Sequence, residues 1–101
     1  MTAFSPGTRD GDAALVVKGD IDIASSDAFY AALSALVASA HSPAFVDLSK
    51  VTYIDSSGLN ALVRASNEVE RDVTIVLVAP SQPVRTMLAL SGLEGSFEVR
   101  D

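Results

Sequence analysis

The segment with the most chemical promise in this 101-residue chain is Asp55-Ser56-Ser57-Gly58. It follows Val51-Thr52-Tyr53-Ile54 and opens a segment with helical spacing, so it belongs to a strand-to-helix connection. Asp55 or Ser56 can cap this helix by accepting backbone N–H bonds. Ser57 then falls in or next to the first turn, and Gly58 keeps that turn small enough for another molecule to approach the backbone.

A phosphate on Ser57 would lie at the positive end of the helix dipole, where anions are stabilised. It would also be repelled by Asp55, and by Asp22 across the same sheet edge. Because a phosphate adds about −1.5 to −2 charges, phosphorylation would change this surface without a new fold. The plainer interpretation is that the segment only starts a helix. Four residues alone favour it, because capping serines are common.

Catalysis by a serine nucleophile needs a base within hydrogen-bond reach and usually a group that orients the base. His41 is the single histidine and lies in a helix-to-strand connection, at the sheet edge opposite Ser57. The two lysines, Lys18 and Lys50, lie among ordinary solvated charges, and the segment is not a Gly-x-Ser-x-Gly elbow. We therefore expect no catalytic residue and no enzyme activity.

Metal and cofactor chemistry is not expected either. Asp22 and Asp55 could form a carboxylate pair, but acid–base work needs a pocket and magnesium needs several oxygen ligands. Two aspartates that cap loops and helices are the better interpretation. The chain has no cysteine and one histidine, which excludes a disulfide framework, a thiol nucleophile and a multi-histidine cage. With no glycine-rich phosphate loop, we predict neither a metal nor a cofactor.

Charge and hydropathy argue against nucleic acids and membranes as binding partners. The chain has 13 acidic and 7 basic side chains, a formal net charge of −6, and its arginines are scattered. Nucleic-acid binding needs clustered Lys and Arg, so we expect no direct nucleic-acid contact. The longest apolar runs are too short to span a bilayer and no leader segment is visible. We expect a cytoplasmic protein without a membrane contact, either monomeric or weakly dimeric.

Short apolar runs bounded by turn residues predict the strands that position this segment. They are Ala13–Val17, Phe45–Leu48, Val73–Ala79 and a short edge strand at Phe97–Val99. A further strand before residue 10 is a weaker expectation, because Pro6-Gly7 interrupts it.

Between these runs, apolar residues recur at helical spacing. The first helix carries a stripe that Ser25 or Ser26 can cap: Phe29, Leu33, Leu36, Val37 and Ala40. The second helix carries the stripe Leu59, Leu62, Val63, Ser66 and Val69. The third helix begins with Ser81 as the capping residue and Pro83 in its first turn. Its apolar stripe consists of Val84, Met87 and Leu88. It ends at Gly92, which can take the left-handed conformation, with Leu93 placed to fold back on the last turn.

This alternation of strands and helices predicts one α/β domain over residues 1–101. We expect a mostly parallel sheet of four to five strands with about three right-handed crossover helices. The strand-to-helix loops then share the carboxyl edge of the sheet, where ligands bind in such folds. Loops 19–22 and 55–58 both lie at that edge, which brings Asp22 near Asp55.

The segment Phe45–Leu59, which contains the Asp-Ser-Ser-Gly sequence, resembles the signature of STAS domains and, more narrowly, of bacterial anti-sigma factor antagonists. Leu15–Asp22 resembles the second strand and acidic turn of that family. Ala79–Arg85 and Leu90–Leu93 resemble its third-helix segment. The resemblance covers nearly the whole chain, and several motifs in the right order are more specific than one loop. It implies a small α/β domain with its helices largely on one sheet face.

The resemblance also implies a function. Ser57 corresponds to the serine phosphorylated by a partner that is both an anti-sigma factor and a serine kinase, with ATP bound by the partner. The unphosphorylated antagonist binds this partner and frees the sigma factor; the phosphorylated form lets go, and a serine phosphatase resets it. Transcription is thus regulated indirectly. By the same resemblance, the docking loop around this phosphoacceptor comprises Asp22, Asp55, Ser56, Gly58, Leu59 and Asn60.

Two features depart from the family pattern. Many members carry a second glycine after the leucine of the motif, where this chain has Asn60, and that side chain bears on which partner is bound. The N-terminal strand is also weaker than usual because of Pro6-Gly7. The alternative function is a constitutive STAS scaffold, or a docking subunit of a sensory or transporter complex, in which this loop only docks.

Overall fold

The computed structural model describes residues 2–40, 43–68 and 73–101. Within these residues the chain forms eight elements: β1 (Ala3–Arg9), β2 (Asp12–Ile21), α1 (Ser26–Ser39), β3 (Ala44–Ile54), α2 (Ser56–Glu68), β4 (Ile75–Val78), α3 (Gln82–Leu90) and β5 (Glu98–Arg100). The strands make one sheet in the order β1-β2-β3-β4-β5. β1 pairs antiparallel with β2, and the other neighbours are parallel, so the sheet is mixed and mostly parallel.

The three helices cover one face of the sheet. The main core joins the buried residues of all three helices to alternate strand residues, among them Leu15, Val46 and Leu77. The intervening strand residues Ala14, Phe45, Val76 and Val78 form a smaller cluster on the other face. This division follows from the two-residue period of a strand, and it confirms the predicted α/β architecture.

β1, which the sequence predicted only weakly, is a complete strand of seven residues. It runs through Pro6-Gly7 without a break and pairs along its length with β2, from Ala3 opposite Lys18 to Arg9 opposite Asp12. β1 is an edge strand, and an edge strand has one side on which a missing N–H breaks no ladder bond. A proline is therefore compatible with this strand.

β2 and β3 extend further than their apolar runs indicated. The predicted loop 19–22 is wrong in part, since residues 19–21 belong to β2 and only Asp22 follows the strand. β3 likewise continues past Leu48 to Ile54. Both extensions contain polar residues that end the apolar runs, among them Lys18 and Lys50, and the pairing of β2 with β3 shifts register twice within them. The two strands still end together, because Ile21 lies opposite Ile54.

The predicted end of α3 is confirmed. Gly92 has a φ of 70°, the left-handed region that favours glycine. Its N–H donates to the Ala89 carbonyl at 3.2 Å, and the Leu93 N–H donates to the Leu88 carbonyl at 2.8 Å. This pair of bonds is the Schellman motif, and Leu93 packs against the main core.

Two predicted serine caps act differently. Ser25 and Ser81 occupy the N-cap positions of α1 and α3, but neither side chain accepts a capping bond. The Ser81 hydroxyl instead donates to the Val51 carbonyl at 2.7 Å, and its N–H donates to the Leu48 carbonyl at 3.2 Å. The start of α3 is thereby fixed to the irregular part of β3.

Some sequence predictions fall on residues outside the described ranges, namely His41, Val69 and Arg71. Among the described residues, no helix is long and apolar enough to cross a membrane.

Candidate functional site

Asp55 caps the N-terminus of α2. Its Oδ1 atom accepts the Ser57 N–H at 2.9 Å, the Gly58 N–H at 3.3 Å and the Ser57 hydroxyl. Its own N–H donates to the Ile21 carbonyl at 3.1 Å, which ties the cap to the end of β2. Of the two predicted capping residues, Asp55 is therefore the cap, and Ser56 is the exposed first residue of the helix.

These bonds lower the pKa of the Asp55 carboxyl. The hydroxyl of Ser57 is the largest cause, and the backbone N–H groups of Gly58 and Ser57 act in the same direction, while burial opposes them. Each donor favours the charged form of the carboxyl. Asp55 is thus a carboxylate at neutral pH, and Ser57 presents a half-buried hydroxyl whose proton points at that carboxylate.

Gly58 is required by packing inside the domain. A Cβ atom at this position would lie 2.7 Å from Ile21 Cγ2 and 2.7 Å from Ile54 Cγ1. The glycine therefore lets α2 approach the ends of β2 and β3, which corrects the interpretation that it leaves room for another molecule. Leu59 is also buried in the core, with 3% of its surface exposed. Gly58 and Leu59 thus act mainly in the packing of α2 on the sheet.

The turn that follows β2 is fixed by a reciprocal pair of side-chain bonds. The Asp22 Oδ1 atom accepts the N–H groups of Ala24 at 3.0 Å and Ser25 at 3.2 Å. The Ser25 hydroxyl oxygen accepts the Asp22 N–H at 3.0 Å and donates to the Asp20 carbonyl at 3.1 Å. The two bonds between Asp22 and Ser25 are reciprocal like those of a capping box, but they lie in the turn that precedes the first helical residue of α1. They hold Ile23 at the tip of the turn, with 82% of its surface exposed.

A shallow groove of about 250 Å³ connects this turn to the phosphoacceptor candidate. The turn and α1 provide one wall and α2 the other: Ile23, Ser26, Asp27 and Tyr30, then Ser57, Asn60, Ala61 and Arg64. At the far end of the groove the Arg64 guanidinium lies 4.1 Å above the Tyr30 ring, and the Tyr30 hydroxyl donates to Glu68. The structure therefore brings Ser57 and Asn60 together on one surface.

Asn60 also lines a second depression on the other side of α2. This hollow of about 180 Å³ is bounded by Ser56, Leu59, Asn60, Val63, Ser91 and Leu93. The exposed Asn60 side chain thus lies on the ridge between two concave surfaces. Asp22 lines neither hollow and acts through the turn that presents Ile23.

Ile23, Tyr30 and Arg64 were not among the site residues predicted from sequence. Tyr30 and Arg64 reach the groove because α1 packs beside α2. Of these three residues, only Ile23 could have been found from the sequence. It is an apolar residue that follows an acidic turn and belongs to neither the predicted strand nor the helical stripe, which indicates an exposed apolar side chain. Among the described residues, no group of three His, Asp or Glu side chains could hold a metal ion.

Comparisons with known proteins identify relatives of the whole chain. A family model described as "Mlab, STAS domain" matches residues 4–100. The anti-sigma-F factor antagonist RsfB of Mycobacterium tuberculosis is 30% identical over 91 residues, which span 90% of this chain and 75% of that protein.

Solved structures show the same fold. An anti-sigma factor antagonist from Mycobacterium paratuberculosis superposes with a TM-score of 0.89 at 27% identity, covering 99% of this chain and 86% of the other. The anti-sigma factor antagonist SpoIIAA in its unphosphorylated form superposes with a TM-score of 0.73 at 21% identity, covering 98% and 88% of the two chains. From the family match and the relative of 30% identity, this chain belongs to the STAS domain family.

Proposed function

We propose that this chain is an anti-sigma factor antagonist controlled by phosphorylation of Ser57. The observation that carries the proposal is the placement of the Ser57 hydroxyl at the N-terminus of α2, on the wall of a groove between α1 and α2. The chain's similarity to antagonists named in two mycobacteria supports it. The unphosphorylated form binds an anti-sigma factor that is also a serine kinase and carries the ATP, and this frees the sigma factor.

Phosphorylation reverses the binding through charge. Ser57 must reach the γ-phosphate of ATP, so it lies near the centre of the docked interface. A phosphate there places about −1.5 to −2 charges beside the Asp55 carboxylate and in a desolvated contact, which is costly. A serine phosphatase resets the chain, and the cycle runs in the cytoplasm without direct nucleic-acid binding by this chain.

The docking surface consists of the exposed and half-exposed members of the predicted loop. Asp22 shapes the turn, Asp55 holds Ser57, and Ser56 and Asn60 offer polar groups on either side of it. Many family members have glycine where this chain has Asn60. We therefore infer that this ridge residue selects among partner kinases.

The test is affinity capture from the source organism, read by mass spectrometry. Three baits are compared: the unaltered chain, Ser57→Asp, and Ser96→Asp, which adds the same charge at an exposed turn outside both hollows. We expect the unaltered and Ser96→Asp baits to retain an ATP-binding kinase that Ser57→Asp loses in part. Equal retention by all three would favour a constitutive scaffold.

A second arm uses the captured kinase with ATP. Ser57→Ala should still bind this kinase but should not be released from it, because it cannot be phosphorylated. Ser56→Ala is the matched control and should be released like the unaltered chain. Release of Ser57→Ala by ATP would move the phosphoacceptor to another residue.

A further inference from the structure

We propose that the sheet face opposite the three helices carries a binding site for a phosphate group, formed by Lys18 and Lys50. These are the two lysines of the chain. The ligand class is a phosphomonoester, either a small soluble molecule or the headgroup of a lipid, because both present the same dianion. The site shares no residue with the groove that contains Ser57, so it is a second function and not part of the phosphorylation switch.

Lys18 and Lys50 are cross-strand neighbours although they lie far apart in the sequence. Lys18 of β2 is paired directly with Lys50 of β3, and adjacent strands lie about 4.8 Å apart. Their chain neighbours Val17 and Val51 are buried in the main core under the helices, so the two lysine side chains project from the other face. Both lysines are exposed. Two like charges placed side by side in this way repel each other.

Within the described part of the chain, no carboxylate neutralises this pair of lysines. The ion pairs found there all involve an arginine. The carboxylates close to the lysines in sequence have other partners: Asp20 accepts the Thr52 hydroxyl at 2.6 Å, and Asp47 accepts the N–H and the hydroxyl of Ser49. In a chain with a formal net charge of −6, two adjacent ammonium groups without an anion form a local basic site. A bound anion would remove their repulsion.

The two lysines line a hollow of about 380 Å³, which Ala3, Gly19 and Thr52 complete. Ala3 and Gly19 have little or no side chain, so the space between the lysine stems stays open. Its volume falls within the range of small-ligand sites. A phosphate carries about −1.5 to −2 charges at neutral pH and can accept bonds from both ammonium groups, whereas a carboxylate neutralises only one. Lysine binds phosphate as a compact point charge with three donors. The pair therefore favours a phosphate over a carboxylate.

The test is an NMR titration of the isotope-labelled chain with inorganic phosphate, in which phosphate replaces chloride at constant ionic strength. We expect saturable shifts of the backbone amides that line the hollow. Lys18→Gln and Lys50→Gln should each weaken phosphate binding by about tenfold, because each removes one charge-assisted contact. Lys50→Arg keeps the charge and should bind within about threefold of the unaltered chain. The same spectra show that each variant is folded.

The matched control is Arg64→Gln, which removes one positive charge from an exposed side chain of α2 and should bind phosphate like the unaltered chain. Two further probes distinguish the sources of the phosphate: glycerol phosphate in solution, and phosphatidylcholine vesicles with and without phosphatidic acid. Binding of glycerol phosphate without cosedimentation would support a soluble ligand. Cosedimentation that requires both phosphatidic acid and the two lysines would support a lipid headgroup.

Two results would overturn the inference. One is phosphate binding of unchanged affinity in the double variant Lys18→Gln/Lys50→Gln, and the other is the absence of saturable binding with all three probes. Either result would leave the proposed phosphorylation of Ser57 intact, because the hollow and the groove have no residue in common. Failure of the kinase capture would likewise leave the phosphate site unaffected.

Discussion

Asp55 holds the start of α2 through three hydrogen bonds that its Oδ1 atom accepts. Its folded pKa lies below the ordinary carboxyl value, mainly because the Ser57 hydroxyl donates to it. For such a group the contribution to the free energy of unfolding is complete above the ordinary pKa, about 3.9, and is lost as the pH falls through the folded pKa.

Ser57→Ala should therefore destabilise the domain by about 1 kcal/mol at neutral pH, the usual net value of such a bond. The difference from the unaltered chain should shrink below pH about 4, because Asp55 becomes protonated in both folded proteins. Urea unfolding of both proteins at neutral and acidic pH measures this difference in the free energy of unfolding. A difference that is the same at both pH values would show that the Asp55 contact does not contribute to stability.

Gly58 gives a sharper prediction because its neighbours are fixed. Gly58→Ala should lower the free energy of unfolding by about 1–3 kcal/mol, since the added methyl group would meet Ile21 and Ile54 at 2.7 Å. Gly95→Ala is the control, because nothing lies within 4 Å of a Cβ atom there. Thermal unfolding of the two variants compares them directly. Equal melting temperatures would mean that the ends of β2 and β3 yield to α2 without cost.

Among the secondary-structure elements, the turn between β2 and α1 has a specific stabilising feature. Ser25→Ala should destabilise the domain by about 1–2 kcal/mol, because the Asp22 N–H and the Asp20 carbonyl both lose their hydroxyl partner. Ser26→Ala removes one weaker, exposed bond to the Ile23 carbonyl and should cost less. Denaturant titration measures the free energy of unfolding of both variants. A larger loss for Ser26→Ala than for Ser25→Ala would contradict the proposed role of the Asp22–Ser25 pair.

The helices were predictable from the sequence because their apolar stripes and the Gly92 stop signal are local features. Most of the strands were predictable where an uninterrupted apolar run marks them. Residues 49–54 of β3, where its pairing with β2 shifts register, include Ser49, Lys50 and Thr52 and form no such run. The edge position that lets β1 accept Pro6 depends on the strand order, which no local pattern reveals.

The candidate site shows the same limit. Asp55, Ser57 and Asn60 lie close together in the sequence and could be found there, whereas Ile23, Tyr30 and Arg64 enter the groove only through the packing of α1 on α2. The packing role of Gly58 likewise depends on Ile21, which is 37 residues away along the chain.

At the scale of the whole molecule, the groove between α1 and α2 combines the Ser57 hydroxyl, the acidic Asp27 and the exposed apolar side chain of Ile23. Ile23→Ala should weaken kinase binding by about tenfold, since exposed apolar anchors at an interface centre contribute about 1–2 kcal/mol. Folding stability should not change, because the side chain is 82% exposed. Leu90→Ala, at a side chain 77% exposed on α3, is the matched control. Equal affinities for the two variants would place the docking surface elsewhere.

The most direct measurement of the central claim is calorimetric titration of the captured kinase with this chain carrying phosphoserine at position 57, installed during synthesis. The same titration with phosphoserine at position 56 controls for added charge on α2. We predict that the phosphate on Ser57 weakens binding by at least about 100-fold, equivalent to about 3 kcal/mol, and that the phosphate on Ser56 weakens it less. Equal affinities for the unmodified and Ser57-phosphorylated chains would contradict the proposed switch.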